Sequence, residues 1–297
     1  MYKYRGFGLL IASEIEFPEL LPADFPVADV TIISGNTPEK LEGAQVIHRA
    51  FSSISKDEFL LSIKNICNYY VSHGNKIIVA PAPDIDLRSI RLFLLGTVMA
   101  ALLYQRGSIP FHASAIVKDE QLIVFAGNSG AGKSTLLAAL ASRGYTIFTD
   151  DICVLHQNGP GVSGTASYPM IKLWDDAIAQ LDSELFTRDF KVRPQLPKYG
   201  QFFFKSFNLQ SLHVAKIFIL NPQNADEISI KKLDPIPAFK QMEKQAYKYQ
   251  LISNTPLRTL HFKMLSQLIN QAPVYEVTRP IKGTTVDLLC NSLEILL

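Results

Sequence analysis

Short apolar or alternating runs at residues 2–13, 30–34, 59–63, 69–72 and 76–80 predict β-strands. Pro18, Pro22, Gly35-Asn36 and Gly74-Asn75 punctuate them, and Gly74-Asn75 between two runs is a hairpin signal. The pattern predicts a small, mostly antiparallel β module over residues 1–83. Pro81 and Pro83 stop its last strand, and Asp84 or Asp86 is placed to cap a helix. From 87 to 105 apolar positions run round most of a helical circumference, and Gly107 stands just past the end. This predicts a buried helix within 84–107, linking the module to a second domain that spans 84–297.

Further on, strands at 111–117 and 121–126 flank the polar turn Lys118-Asp119-Glu120, another hairpin. Its second strand runs straight into a glycine-rich loop at 127–134. A helix at 135–142 comes next, ended by Gly144, and then a strand at 145–149. That order of strand, loop, helix and strand is the α/β nucleotide-binding unit. The pattern also predicts strands at 153–156, 170–173, 201–204, 216–220 and 228–233, and helices at 175–181, 237–249 and 256–270. Thr255 as N-cap and Pro256 at the first helical position mark the start of the last. The Pro- and charge-rich segment 182–200 predicts a long loop, a kind of segment that often carries function.

Composition changes this picture little. The chain has 297 residues, 47% hydrophobic and 19% charged, enough for one large domain or two modest ones. A net charge of +2 gives no reason to expect nucleic acid or an anionic membrane as partner. The longest apolar stretch, 92–104, falls short of the roughly 20 residues that a membrane span needs. Cys67, Cys153 and Cys290 share no metal or redox spacing, and no signal-peptide pattern opens the chain. They read as reduced core thiols of a cytoplasmic protein.

Gly127-Asn128-Ser129-Gly130-Ala131-Gly132-Lys133-Ser134 satisfies the phosphate-loop pattern in full, with Thr135 next. Its glycines let the backbone curl so that successive N–H groups face a phosphate, and the helix N-terminus adds partial positive charge. Lys133 would reach the β- and γ-phosphates of ATP, and the Ser134 hydroxyl would be a ligand of Mg²⁺. Asp150-Asp151 ends the next strand, at the sheet edge where such folds bind ligands. One carboxylate can accept the proton of an attacking hydroxyl while the other can hold magnesium, directly or through water. Neighbours on a strand point oppositely, so one of the two could instead be structural.

If Val117 pairs with Leu122, His112 lies opposite Gly127, at the start of the loop. There it either contacts the phosphoryl group or tunes an aspartate, or it is a hydrogen-bonded structural residue. Arg188, Lys191, Arg193, Lys198 and Lys205 either coat a solvated face or supply a cation to the transferring phosphate or an acidic substrate. Lys172, inside an apolar strand, either snorkels or points into the site. Lys172, Arg193 and Lys198 are the candidate substrate contacts.

The run His112-Ala113-Ser114-Ala115, the phosphate loop and the stretch 143–151 ending in Asp150-Asp151 resemble the catalytic domain of HPr kinase/phosphorylase. That resemblance implies an α/β core of the HPr kinase and phosphoenolpyruvate carboxykinase type, with ATP and Mg²⁺ as cofactors. It also implies that His112 and Lys133 are catalytic and that Asp151 is the proton acceptor. Thr135 stands where that family usually has glutamate, and its later Glu-Val-Arg-Gly-type signature has no match, so the reverse phosphorolysis is not expected. The opening 7–15 with Pro18-Glu19-Leu20, together with 91–96, Gln105-Arg106-Gly107 and 168–174, resembles HPr-kinase-like proteins of lasso peptide biosynthesis clusters. Characterised members of that group phosphorylate the C-terminal serine of a precursor peptide.

The expected activity is therefore an ATP-dependent serine kinase acting on a peptide. An HPr-type protein kinase, a small-molecule kinase and a nucleotide-binding regulator without phosphotransfer are the alternatives. The signatures of ABC-type ATPases and of GTPases do not occur. Shikimate- and gluconate-type kinases open on their phosphate loop, whereas a long segment precedes it here. The oligomeric state stays open.

Overall fold

The computed structural model describes residues 1–43, 45–181, 185–252, 257–281 and 286–297; the expected cap at Thr255 and Pro256 lies outside them. The chain forms two compact units, Met1–Pro110 with Tyr247–Phe262, and Phe111–Ala246 with Lys263–Leu297. The fold is mixed α/β, with several mixed sheets.

In the first unit the apolar run 2–13 is two strands, Tyr2–Gly6 and Leu9–Ser13. Phe7 and Gly8 close the hairpin with φ of 58° and 75°, the twist of a two-residue primed turn. Phe7 is 2% exposed, so its burial holds an apolar residue in a conformation that would normally call for glycine or asparagine. Val30–Ser34 pairs in parallel with Leu9–Ser13 and with Lys76–Pro81, which makes the nine-stranded sheet mixed. The hairpin read at Gly74-Asn75 closes Cys67–Ser72 on Lys76–Pro81.

The helix Leu87–Gln105 starts as expected, with the Asp86 carboxylate accepting from the Ser89 N–H at 3.2 Å. Among the described residues it alone is long and apolar enough to cross a bilayer, and 72% of that apolar window is buried inside the protein. Tyr69 Oη donates to Ile90 O at 3.1 Å, and Arg91 pairs with the buried Glu19 carboxylate at 3.0 Å. These bonds fasten the helix to the β module. The boundary expected after residue 83 therefore lies at residue 110, and the helix belongs to the first unit.

The second unit is built on three parallel strands, Gln121–Gly127, Leu212–Gln223 and Val274–Pro280. Phe125, Phe218 and Tyr275 sit in register across them with ring centroids 5.8 and 5.1 Å apart. Ala113–Lys118 and Thr146–Thr149 extend the sheet on one side, and Gly161–Ala166 with Cys153–Asn158 on the other. The helix Lys133–Ser142 packs on it with Leu136, Leu137 and Leu140 buried. A separate pair, Met170–Trp174 with Lys198–Phe202, replaces the strand expected at 201–204.

Several elements depart from expectation. The helix expected at 237–249 is Pro235–Glu243, starting after Asp234 with Pro235 in its first turn, and Lys248 beyond it is left-handed. Gly161–Ala166 carries too little apolar signal to read as a strand. A Cβ at Gly164 would lie 2.6 Å from Leu122 and 2.9 Å from the Cys153 sulfur, so packing there requires glycine. The C-terminal helix Val286–Glu294 buries Leu289, Cys290 and Leu293. Cys67, Cys153 and Cys290 are buried and unpaired in disulfides.

Candidate active site

The hairpin register matches expectation from Val117↔Leu122 to Ala113↔Ala126, and then the ladder stops. His112 turns out of it, its N–H donating to Gln245 O at 2.7 Å. Gly127 ends the facing strand at φ 147°, and a Cβ there would lie 2.6 Å from the Leu220 carbonyl oxygen. Gly130 and Gly132 also have positive φ and curl the loop back into its helix. Gly127→Ala is expected to cost about 1–3 kcal/mol through backbone strain, read as a lower denaturation midpoint without change in the slope.

Lys133 opens the helix and folds back over the loop. Its ammonium donates to Gly127 O at 2.7 Å and Asn128 O at 3.1 Å, and lies 3.1 Å from His112 Nε2. Burial pushes this lysine down to about 8, against the pull of Asp150 and Asp151.

Asp150 is buried at the end of its strand. Its Oδ1 accepts from Ser114 Oγ at 2.7 Å and Ser134 Oγ at 2.9 Å, and Oδ2 from the Lys172 backbone N–H at 3.0 Å. Asp151 then adopts φ 69°, and the Ile152 N–H closes a three-residue turn on Asp150 O at 2.8 Å. That turn breaks the alternation of the strand, so both carboxylates line the same cleft. Strand alternation therefore does not turn either carboxylate away from the cleft.

Asp151 Oδ2 accepts from Lys172 Nζ at 2.9 Å, and Oδ1 lies 3.4 Å from His112 Nδ1. Burial alone would raise this carboxyl, but Lys172, His112 and Lys198 outweigh it and hold it below the usual carboxylate range. Lys172 in turn stays well above its ordinary value despite burial, because Asp151 and Tyr168 face it. Burial, with Lys133 adding to it, keeps His112 below the usual histidine value. Its Nδ1 lies 3.0 Å from Asp151 O and its Nε2 faces an ammonium. Those partners assign the neutral tautomer with the proton on Nδ1.

A cleft of about 850 Å³ opens over these groups. His112, Ser129, Gly130, Gly132, Lys133, Ser134, Thr135, Asp150, Asp151, Lys172 and Lys198 all line it. Gly127, Asn128 and Ala131 shape the loop without lining the cleft. Lys172 points into the site, and Lys198 reaches its mouth with Nζ 5.4 Å from the Trp174 ring centre. Arg193 does not line the cleft, and its Nε is buried without a partner among the described residues. Arg188 is spent on an exposed pair with Asp175, and Lys191 and Lys205 also lie outside the lining.

Among the described residues no group of three or more His, Cys, Asp or Glu side chains could hold a metal by itself. Ser134 Oγ and Asp150 Oδ1, 2.9 Å apart, are hard oxygens at the phosphate loop. They fit Mg²⁺, which binds through one or two protein oxygens together with substrate phosphates and water.

No protein-family model matches the chain. No curated protein matches it either. Among solved structures it is similar to the HPr(Ser) kinase/phosphatase from Coxiella burnetii, at 16% identity and a TM-score of 0.32. The match covers 62% of this chain and 92% of that one. A TM-score that low leaves the site to be judged on its own residues.

Two residues of the site carried no signal in the sequence. Arg279, at the end of the unrecognised strand Val274–Pro280, lines the cleft and donates to Ala131 O from Nη2 at 2.9 Å and Nε at 3.2 Å. A Cβ on Gly132 would lie 3.0 Å from that guanidinium, so the third loop glycine also makes room for it. Gln245 accepts from the Gly127 N–H through Oε1 at 3.0 Å.

Proposed function

We propose that the protein is an ATP- and Mg²⁺-dependent serine kinase acting on a peptide, with the C-terminal serine of a lasso precursor peptide as acceptor. The observation that carries this reading is one cleft in which Lys133 and Asp151 stand on either side of His112. The acceptor is taken from the sequence resemblance alone.

The loop amides and Lys133 bind the β- and γ-phosphates of ATP. Ser134 and Asp150 would hold Mg²⁺, which would supply positive charge against the phosphates of ATP. Asp151 accepts a hydrogen bond from the serine hydroxyl and aligns its oxygen with the γ-phosphorus. As the new O–P bond forms, the bond to the β–γ bridging oxygen breaks and ADP leaves with that electron pair. The hydroxyl proton passes to Asp151. A carboxylate held below its usual range is a weak base, which suits a loose transition state where positioning outweighs early deprotonation. Lys172 keeps that carboxylate ionised and oriented, and neutral His112 spaces it from Lys133.

The test is ADP release with matched peptides ending in serine or alanine. Serine-dependent release is expected from the wild type, and Lys133→Met should lower it at least about 100-fold. Equal release with both peptides counts against transfer to serine.

A further inference from the structure

Four residues close a largely buried ring of hydrogen bonds. Gln245 Oε1 accepts from the Gly127 N–H at 3.0 Å, and Gly127 O accepts from Lys133 Nζ at 2.7 Å. Lys133 Nζ donates to His112 Nε2 at 3.1 Å, and the His112 N–H donates to Gln245 O at 2.7 Å. Gln245 is 4% exposed and Lys133 6%. We infer that Gln245 is a positioning residue that sets Lys133 and His112 relative to each other for phosphoryl transfer. The role rests on the proposed kinase reading.

The backbone on either side of Gln245 is pinned, which aims its side chain at the loop. Its N–H donates to Met242 O at 2.9 Å, and Ala246 bridges to Phe111, the residue before His112. The same residue therefore fixes the histidine through its main chain and the start of the phosphate loop through its amide. Gly127 transmits this directly, because its N–H faces Gln245 while its carbonyl faces the Lys133 ammonium. An apolar side chain of equal size could fill the space but would leave the Gly127 N–H buried without an acceptor. The loop entrance would then lose one of the bonds that orient it, and the Gly127 carbonyl that faces Lys133 would shift with it.

Three variants separate positioning from packing. Gln245→Met keeps volume and loses the acceptor, Gln245→Asn draws the acceptor back by one methylene, and Gln245→Glu keeps it. A misplacement of about 1 Å at such a site is costly, so Met and Asn should lower kcat about 10–100-fold. Gln245→Glu keeps the acceptor but loses the Nε2 donor to Gln241 O, so it should recover part of that loss. Wild-type kcat in folded Gln245→Met or Gln245→Asn overturns the inference, and so does a Gln245→Glu as slow as they are. Should Gln245→Met fail to fold, Asn and Glu decide between them.

A second readout needs no acceptor. The His112 imidazole nitrogen shifts in the nucleotide-free protein should move in Gln245→Asn and Gln245→Met. A wild type that phosphorylates no serine sinks the kinase reading, and these shifts then judge the ring alone. Unmoved shifts overturn it.

Discussion

Asp151→Asn should lower kcat for serine phosphorylation by about 10²–10⁴-fold, the range for loss of a positioned proton acceptor. The Kd for ATP should change little, because phosphate binding is assigned to the loop amides, Lys133 and the Ser134–Asp150 pair. An asparagine at this position can keep the left-handed turn, since the amide tolerates positive φ as aspartate does. The turn and the Asp150 contacts can then persist, but Lys172 loses its closest anion, so turnover is compared on a variant shown to be folded by denaturant unfolding. Nucleotide titration beside single-turnover kinetics distinguishes binding from chemistry. Loss of ATP binding together with kcat would move Asp151 from the acceptor to the nucleotide, and unchanged turnover would remove it from the mechanism.

The second large effect is expected from Lys172→Met, and first in stability. Lys172 is the closest cation to Asp151, and it stands in an apolar strand between Ile171 and Leu173, both buried. Removing one member of a buried pair leaves the other charge uncompensated, at a cost of about 3–5 kcal/mol. The Asp151 side chain keeps 26% exposure, so about 2–4 kcal/mol is expected here, measured by denaturant unfolding near neutral pH. The pH dependence has a definite sign. In the wild type the folded carboxyl lies below its unfolded value, so Asp151 contributes stability above about pH 4 that is lost as pH falls towards the folded value. In Lys172→Met burial is opposed only by His112 and the more distant Lys198, the carboxyl rises, and that contribution shrinks or reverses. The difference between the two proteins should therefore be largest at neutral pH and narrow in acid. A constant difference across that range would show that Lys172 acts by packing.

The elements around the phosphate loop were legible because local rules and tertiary structure agree there. The apolar strand, the glycines, the helix start and the hairpin register through Ala113↔Ala126 all derive from short-range pattern. What the register could not anticipate is that His112 leaves the ladder to bond Gln245, a partner more than a hundred residues on. The orientation of the aspartate pair was hidden for a similar reason. Strand alternation separates Asp150 from Asp151, and only the positive φ of Asp151 brings both to the cleft. Phe7 illustrates the converse, a turn residue disguised as a strand residue because burial outweighs its conformational preference. Arg279 was out of reach because its strand, Val-Tyr-Glu-Val-Thr-Arg-Pro, mixes charge and proline into a segment made regular by strand pairing on both sides. Of the basic residues singled out, charge alone could not separate Lys172 and Lys198, which reach the cleft, from Arg193, which does not.

The direct test of transfer to serine is a mass measurement. The purified protein is incubated with ATP, Mg²⁺ and a set of acceptors: serine-ended peptides, the same peptides with an internal serine, HPr and free serine. A mass gain of one phosphate, localised by fragmentation to the C-terminal serine and absent with Asp151→Asn, is the predicted result. ATP hydrolysis with every acceptor left unmodified would contradict it.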